Sequence, residues 1–220
     1  MAILYRAQLT PSKMELLSAW APLQPWCGAL AGSRTLDAVG AYRFDDPEGE
    51  VGIETHLLRS ADGQVLQVPV TYRGAPVPGA EAYLIATTQH SVLGERWVYD
   101  ACGDPTYAEA LATAILTGGT QADLDVVTDE GYERRQATTR VAGSGAPGSV
   151  VPPVGPVTYW NEGKTTIVRS GDLELTIFRV IDVPATADMA GVCVLTGTWP
   201  GQDTPALLAS APGGHYAGPA

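Results

Sequence analysis

The chain has 220 residues, is 45% hydrophobic and 17% charged, and carries a formal net charge of −11. That length can bury a substantial core, and the composition is too apolar for a disordered chain. So acidic a surface repels a phosphate backbone, which argues against nucleic acid as a partner. No apolar run approaches the roughly 18–20 residues needed to cross a bilayer, which argues against a membrane partner. Met1 to Thr10 lacks the basic, then apolar, then small-residue layout of a secretory leader, and the three cysteines, Cys27, Cys102 and Cys193, form no disulfide framework. The expectation is a cytoplasmic protein with buried, reduced thiols.

Ala2 to Leu9 reads as a short strand. Thr10 then offers a cap, Pro11 fits a first helical position, and Met14, Leu16, Leu17, Trp20, Ala21 and Leu23 give a helical apolar face that Pro22 and Pro25 terminate. Three extended segments follow, Thr35 to Phe44, Val51 to Arg59 and Gln64 to Tyr72, with Asp62-Gly63 as a hairpin signal. They predict an antiparallel meander with a helix across it; Pro69, which cannot donate to a ladder, points to an edge or a bulge. Tyr83 to Tyr99 reads as one or two short strands around Gly94. A second helix opens at Asp104-Pro105, lines Tyr107, Leu111, Ala114 and Ile115 along one face, and stops at Gly118-Gly119. Ala122 to Val127 and Arg134 to Val141 read as strands about an acidic turn.

Gly143 to Pro156, rich in Gly, Ser, Pro and Val and without charge, reads as a linker between a unit over 1–142 and a β-rich unit over 157–220. In the latter, Val157 to Ser170 and Leu173 to Asp182 flank Gly171-Asp172 as a hairpin, and Gly191 to Trp199 is a third strand. From Pro212 the tail is Gly-rich and reads as frayed.

The candidate ligand-binding residues are His90, Trp97, Tyr99, Asp100 and Glu54. Aromatics beside a few polar groups suit a sugar, with stacking on the ring face and hydrogen bonds to hydroxyls. The competing reading makes Trp97 and Tyr99 core residues and His90 a turn residue. Glu54 and His56 lie two apart on one strand face, where His90 or Asp100 could approach. A metal needs three or four converging ligands, and with His215 in the tail the three histidines predict no metal site. Ser91 and Ser144 lack a nucleophile-elbow setting. Cys102 precedes a helix but has no visible base. The glycines at 143–148 lack the lysine and helix of a phosphate loop.

Four stretches together resemble a known family. Leu16-Leu17-Ser18-Ala19-Trp20 leading to Gln24-Pro25-Trp26-Cys27-Gly28 is similar to the "W-L-x-x-Q-R-W-F/Y-G" opening of the maltokinase N-terminal cap. Leu66 to Arg73 (Leu-Gln-Val-Pro-Val-Thr-Tyr-Arg) is similar to its "Y-x-V-P-L-x-Y-R" strand. Val98-Tyr99-Asp100-Ala101 followed by Asp104-Pro105 looks like its "Y-D-A-x-x-D-P" lead into a helix. Glu162 to Val180, with Gly171-Asp172-Leu173-Glu174-Leu175-Thr176-Ile177-Phe178-Arg179, resembles the first hairpin of the attached kinase lobe.

The resemblance implies an α+β fold: an antiparallel sheet with packed helices, then a small β unit like the start of a kinase small lobe. In the family the cap is fused to a kinase that phosphorylates maltose or related sugars with ATP. Thr176 stands where the family hairpin places its nucleotide lysine, and Arg179, as the family's structural arginine, is expected to point away from the nucleotide. No "H-G-D-x-H-x-x-N" loop or metal-binding aspartate follows, so no cofactor is expected and the isolated chain is not expected to be an enzyme. The resulting expectation is a noncatalytic accessory, regulatory or ligand-binding protein of maltosugar or glucan metabolism. Its partner would be a kinase or glucan-metabolism enzyme, or a small sugar. One alternative is the detached cap and small-lobe half of a split sugar kinase, and another is a small enzyme using His90, Asp100 or Glu54.

Overall fold

Local signals set most element boundaries. The computed structural model describes residues 2–4, 8–32, 35–128, 131–135, 137–182 and 191–213. The acidic turn at 129–130 and the tail histidine, His215, lie outside the described residues. In place of one opening strand stand β1 (Ala2–Leu4) and β2 (Leu9–Thr10). Helix α1 (Lys13–Trp20) is capped by Ser12, whose hydroxyl accepts the Glu15 N–H while the Glu15 carboxylate accepts the Ser12 N–H. Thr10 cannot serve as that cap because it is paired with Gln89. Leu16, Leu17 and Ala21 are buried, whereas Leu23, expected on the same face, is 78% exposed because a 3₁₀ turn over Ala21–Leu23 carries it away.

The meander forms as strands β3 (Leu36–Phe44), β4 (Gly52–Ser60) and β5 (Val65–Arg73), followed by the hairpin β6 (Leu84–His90) and β7 (Gly94–Asp100). Helix α2 (Pro105–Thr117) starts on an Asp104 cap and stops at Gly118, whose φ of 72° suits the left-handed C-cap. Next come β8 (Leu124–Thr128), β9 (Gly131–Arg135), β10 (Arg140–Gly143), β11 (Thr158–Glu162), β12 (Thr165–Ser170), β13 (Leu173–Phe178), β14 (Val180–Ile181), β15 (Val192–Trp199) and β16 (Gln202–Pro212). The fold is α+β in the broad sense and dominated by antiparallel sheet.

One sheet runs β2-β6-β7-β5-β4-β3, with β14 also on β5; a second runs β10-β15-β16-β13-β12-β11; a small third runs β1-β8-β9, its β1–β8 pair parallel. Pro69 is therefore neither at an edge nor in a bulge. Gln67 sends its N–H to the Arg179 carbonyl, and position 69 faces that same side. There β5 changes neighbour from β14 (at 65–66) to β7 (at 70–73), so a missing donor leaves no ladder bond unmade. Pro212 ends β16, and the Gly-rich tail beyond Gly213 lies outside the described residues.

Each face of the first sheet has its own core. Leu58, Leu66, Val68, Val70 and Val98 face α1 and Trp26. On the other face Tyr42, Phe44, Ile53, Leu57 and Val65 meet α2 (Tyr107, Leu111, Ile115) and the second sheet (Val168, Leu175, Ile177, Leu195, Leu208) in one continuous cluster. The 143–156 segment carries neither helix nor strand beyond Gly143, yet it does not separate two cores. Gly145 donates to the Ile115 carbonyl, Ser144 to Val194, and Val151 and Val154 pack on the shared cluster.

Candidate functional site

The sheet register distributes the candidate residues. Glu54 pairs with Val70, and Val70 with Asp100, so the two carboxylates share a face about 10 Å apart with Val70 between them. Trp97 and Tyr99 alternate onto the opposite face. Tyr99 is buried and its hydroxyl accepts the Val77 N–H at 2.9 Å, so its ring is not open for stacking. Trp97 is half-buried and stands across from Arg73 and Thr87. His90 pairs with Gly94 at the turn end of the hairpin, about 20 Å of strand from Asp100. Its Nδ1 accepts the N–H groups of Val92 and Leu93 at 3.2 and 3.0 Å. Burial, with Arg96 and Lys13 nearby, lowers its pKa. A single sugar site built from His90, Trp97, Tyr99, Asp100 and Glu54 is thus not assembled, because strand alternation and hairpin length separate them.

Asp100 instead meets Arg179. The Arg179 Nη2 donates to both Asp100 oxygens at 2.7 and 2.6 Å, and its Nε donates to the Thr166 hydroxyl at 2.8 Å. Asp100 Oδ1 also accepts the Cys102 N–H. Both side chains are essentially inaccessible to water, at 0% and 2%. Burial alone would favour a neutral guanidine, but the Asp100 charge and hydrogen bonds outweigh it and raise the Arg179 pKa. The guanidinium lies 5.1 Å from the Trp26 ring centroid. Arg179 points into the first sheet, against Asp100 and Trp26. A second ion pair joins the stretch that holds Asp100, through Asp104, to the Leu66 to Arg73 strand. Arg73 Nε and Nη2 grip Asp104 at 2.8 and 2.7 Å, and the Thr71 hydroxyl donates to Asp104 at 2.8 Å.

Glu54 gathers cations. Lys13 Nζ lies 2.5 Å from Oε2, Arg43 Nη2 3.1 Å from Oε1, and His56 Nε2 3.3 Å from Oε2. His56 also approaches the Tyr72 hydroxyl at 3.4 Å, and Lys13 sits over the Tyr72 ring. Burial pushes the Glu54 pKa up, but His56, Arg43 and Lys13 together hold it well below the usual range. Glu54 and His56 are buried, not the solvent-facing strand positions that a bland reading allows. Lys13 and Arg43 carry no local signal of this role in the sequence, although the β3–β4 register that pairs Arg43 with Glu54 follows from the hairpin.

Beside this cluster lies a cavity of about 100 Å³, lined by Lys13, Arg43, Glu54, Gln121, Ala122 and Ala137 among others. A shallower groove of about 420 Å³ runs between Phe44, Pro47 and helix α2. Among the described residues no three His, Cys, Asp or Glu side chains converge as a metal would require. Cys102 is fully buried and burial pushes its thiol up, which leaves no thiolate. Thr176 pairs with Ile167 and Ser210 in the middle of the second sheet. Among the described residues no helix is long and apolar enough to cross a membrane.

No curated protein matches the chain. The family model of the maltokinase N-terminal cap domain matches residues 20–104, which takes in Trp26, the Leu66 to Arg73 strand and the Asp100 to Asp104 turn but not the Glu162 to Val180 hairpin. Over residues 20–104 the chain is therefore similar to the maltokinase N-terminal cap domain.

Proposed function

We propose that the protein is a noncatalytic accessory module of maltosugar or glucan metabolism that acts in the cytoplasm on a partner enzyme. The observation that carries this reading is how the recognisable residues are used. Asp100, Arg179 and Trp26 hold one another inside the molecule, and Asp104 is buried and gripped by the partly exposed Arg73. Phosphoryl transfer needs a positioned cation on the phosphates and a carboxylate that holds Mg²⁺. Thr176 offers a neutral hydroxyl where the resemblance implies the family's lysine, and both Asp100 oxygens are already bonded to Arg179. The test is incubation of the purified chain with MgATP and maltose, alone and with candidate sugar kinases. The reading expects no turnover by the chain alone and an altered rate for a partner; sugar phosphate made by the chain alone would overturn it.

A second reading, one half of a split sugar kinase, is favoured by one feature. The 165–178 hairpin is bolted to the cap sheet through Arg179 and Asp100, as a lobe held on its cap would be. Under this reading a capless catalytic polypeptide gains sugar-kinase activity only when the chain is added.

A further inference from the structure

The Glu54 cluster is unbalanced. Two permanent cations, Lys13 and Arg43, meet one carboxylate, and among the described residues Glu54 is the only acid in ion-pair contact with either. The Lys13 and Arg43 side chains are only 29% and 17% exposed. A positive charge withdrawn from water without a counter-charge is costly, and more so than a matched pair. The cavity of about 100 Å³ opens beside these cations. It is too small for a sugar, whose sites run from about 300 Å³ upward, and large enough for several waters or one compact ion. Gln121 adds a third polar wall. Its side-chain oxygen is taken by the Val141 N–H at 2.8 Å, which leaves the amide NH₂ as a donor. Ala41, Tyr42, Ala122 and Ala137 shape the remainder, and Glu54, which also lines the cavity, is engaged by Lys13 and Arg43.

We propose that this cavity is a binding site for a compact oxyanion, a carboxylate or phosphate group, held by Lys13, Arg43 and Gln121. Arg43 spends one terminal nitrogen on Glu54, and its fork presents further N–H groups to a planar or tetrahedral oxyanion. Lys13 supplies the point charge. Glu54 fixes both cations in place instead of competing for the ligand, since its two oxygens are already engaged. The whole chain carries −11, so long-range attraction contributes little and local donors decide binding. The site stands whether or not the partner-enzyme reading does, because it depends on no kinase and no sugar.

The experiment is calorimetry and thermal-shift measurement on the full chain at fixed ionic strength, with inorganic phosphate and acetate as separate arms against chloride. Saturable binding of a single ion in at least one arm is expected, and the preferred arm identifies the head group. Arg43→Lys keeps the charge but removes the fork, and should weaken binding about tenfold. Ala137→Leu fills the cavity and leaves every charge in place, so it should abolish binding. Should Arg43→Lys fail to fold, Ala137→Leu decides alone. No saturable binding beyond chloride in either arm, or binding that survives Ala137→Leu, would overturn the proposal.

Discussion

Asp100 and Glu54 sit on the same sheet face with one valine between them, yet their surroundings differ in kind. Asp100 faces a single arginine whose Nη2 contacts both carboxylate oxygens, with charges matched one to one and water excluded. Glu54 faces Lys13, Arg43 and His56 at a rim that solvent reaches, and positive charge is in excess. The first arrangement balances its charges and joins two sheets across 79 positions of sequence, although the Arg179 Nη1 is buried there without a hydrogen-bond partner. The second is left open on one side, beside a cavity. Matched, sealed charge works as a joint, whereas unmatched charge at a rim works as a receptor.

Breaking the joint should give the largest effect. Arg179→Met leaves Asp100 buried and uncompensated, and should destabilise the fold by about 3–5 kcal/mol in urea unfolding. Adding Asp100→Leu to it should restore much of that loss, because an apolar pair removes the stranded charge. A smaller loss is expected where the 143–156 segment crosses α2. A methyl group on Gly145 would collide with the Leu116 carbonyl, so Gly145→Ala should cost about 1–3 kcal/mol.

The smallest effect belongs to the rim, and there its pH dependence is the informative readout. The Glu54 pKa is lowered in the folded state, so its contribution is complete above the ordinary value of 4.5 and is lost as the pH falls through the lowered value. Glu54→Gln should cost about 1 kcal/mol at neutral pH and flatten the acid limb of stability below pH 4.5. An unchanged acid limb would mean that the rim charges are idle and would erase the contrast with Asp100.

Elements with a local code were legible in the sequence. Asp104-Pro105 and Gly118 bracket α2, and Gly63, Gly94 and Gly171 mark hairpin turns at positive φ. The start of α1 was legible too, but in Ser12 and Glu15, whose spacing is that of a reciprocal cap. Strand β16 was not, because Pro205 and a run of Ala, Leu and Ser carry little strand preference; its conformation is imposed by β15 and β13 on either side. The candidate site was half legible. Glu54 and His56 could be singled out from spacing, but Lys13 reaches Glu54 from 41 residues away through tertiary packing. Asp100 and Arg179 each stood inside a recognisable stretch, but nothing local indicates that they touch.

Helix α2 begins one residue beyond the segment that matches the cap family, and it is the wedge on which both large sheets close. A fragment ending at residue 104 would retain the cap signature while baring Tyr42, Phe44, Ile53 and Leu57 to solvent. The stretch that matches the family is thus shorter than the stretch that shares one apolar core. Any fusion, truncation or crystallisation boundary placed at the family limit would produce an adhesive half-sandwich.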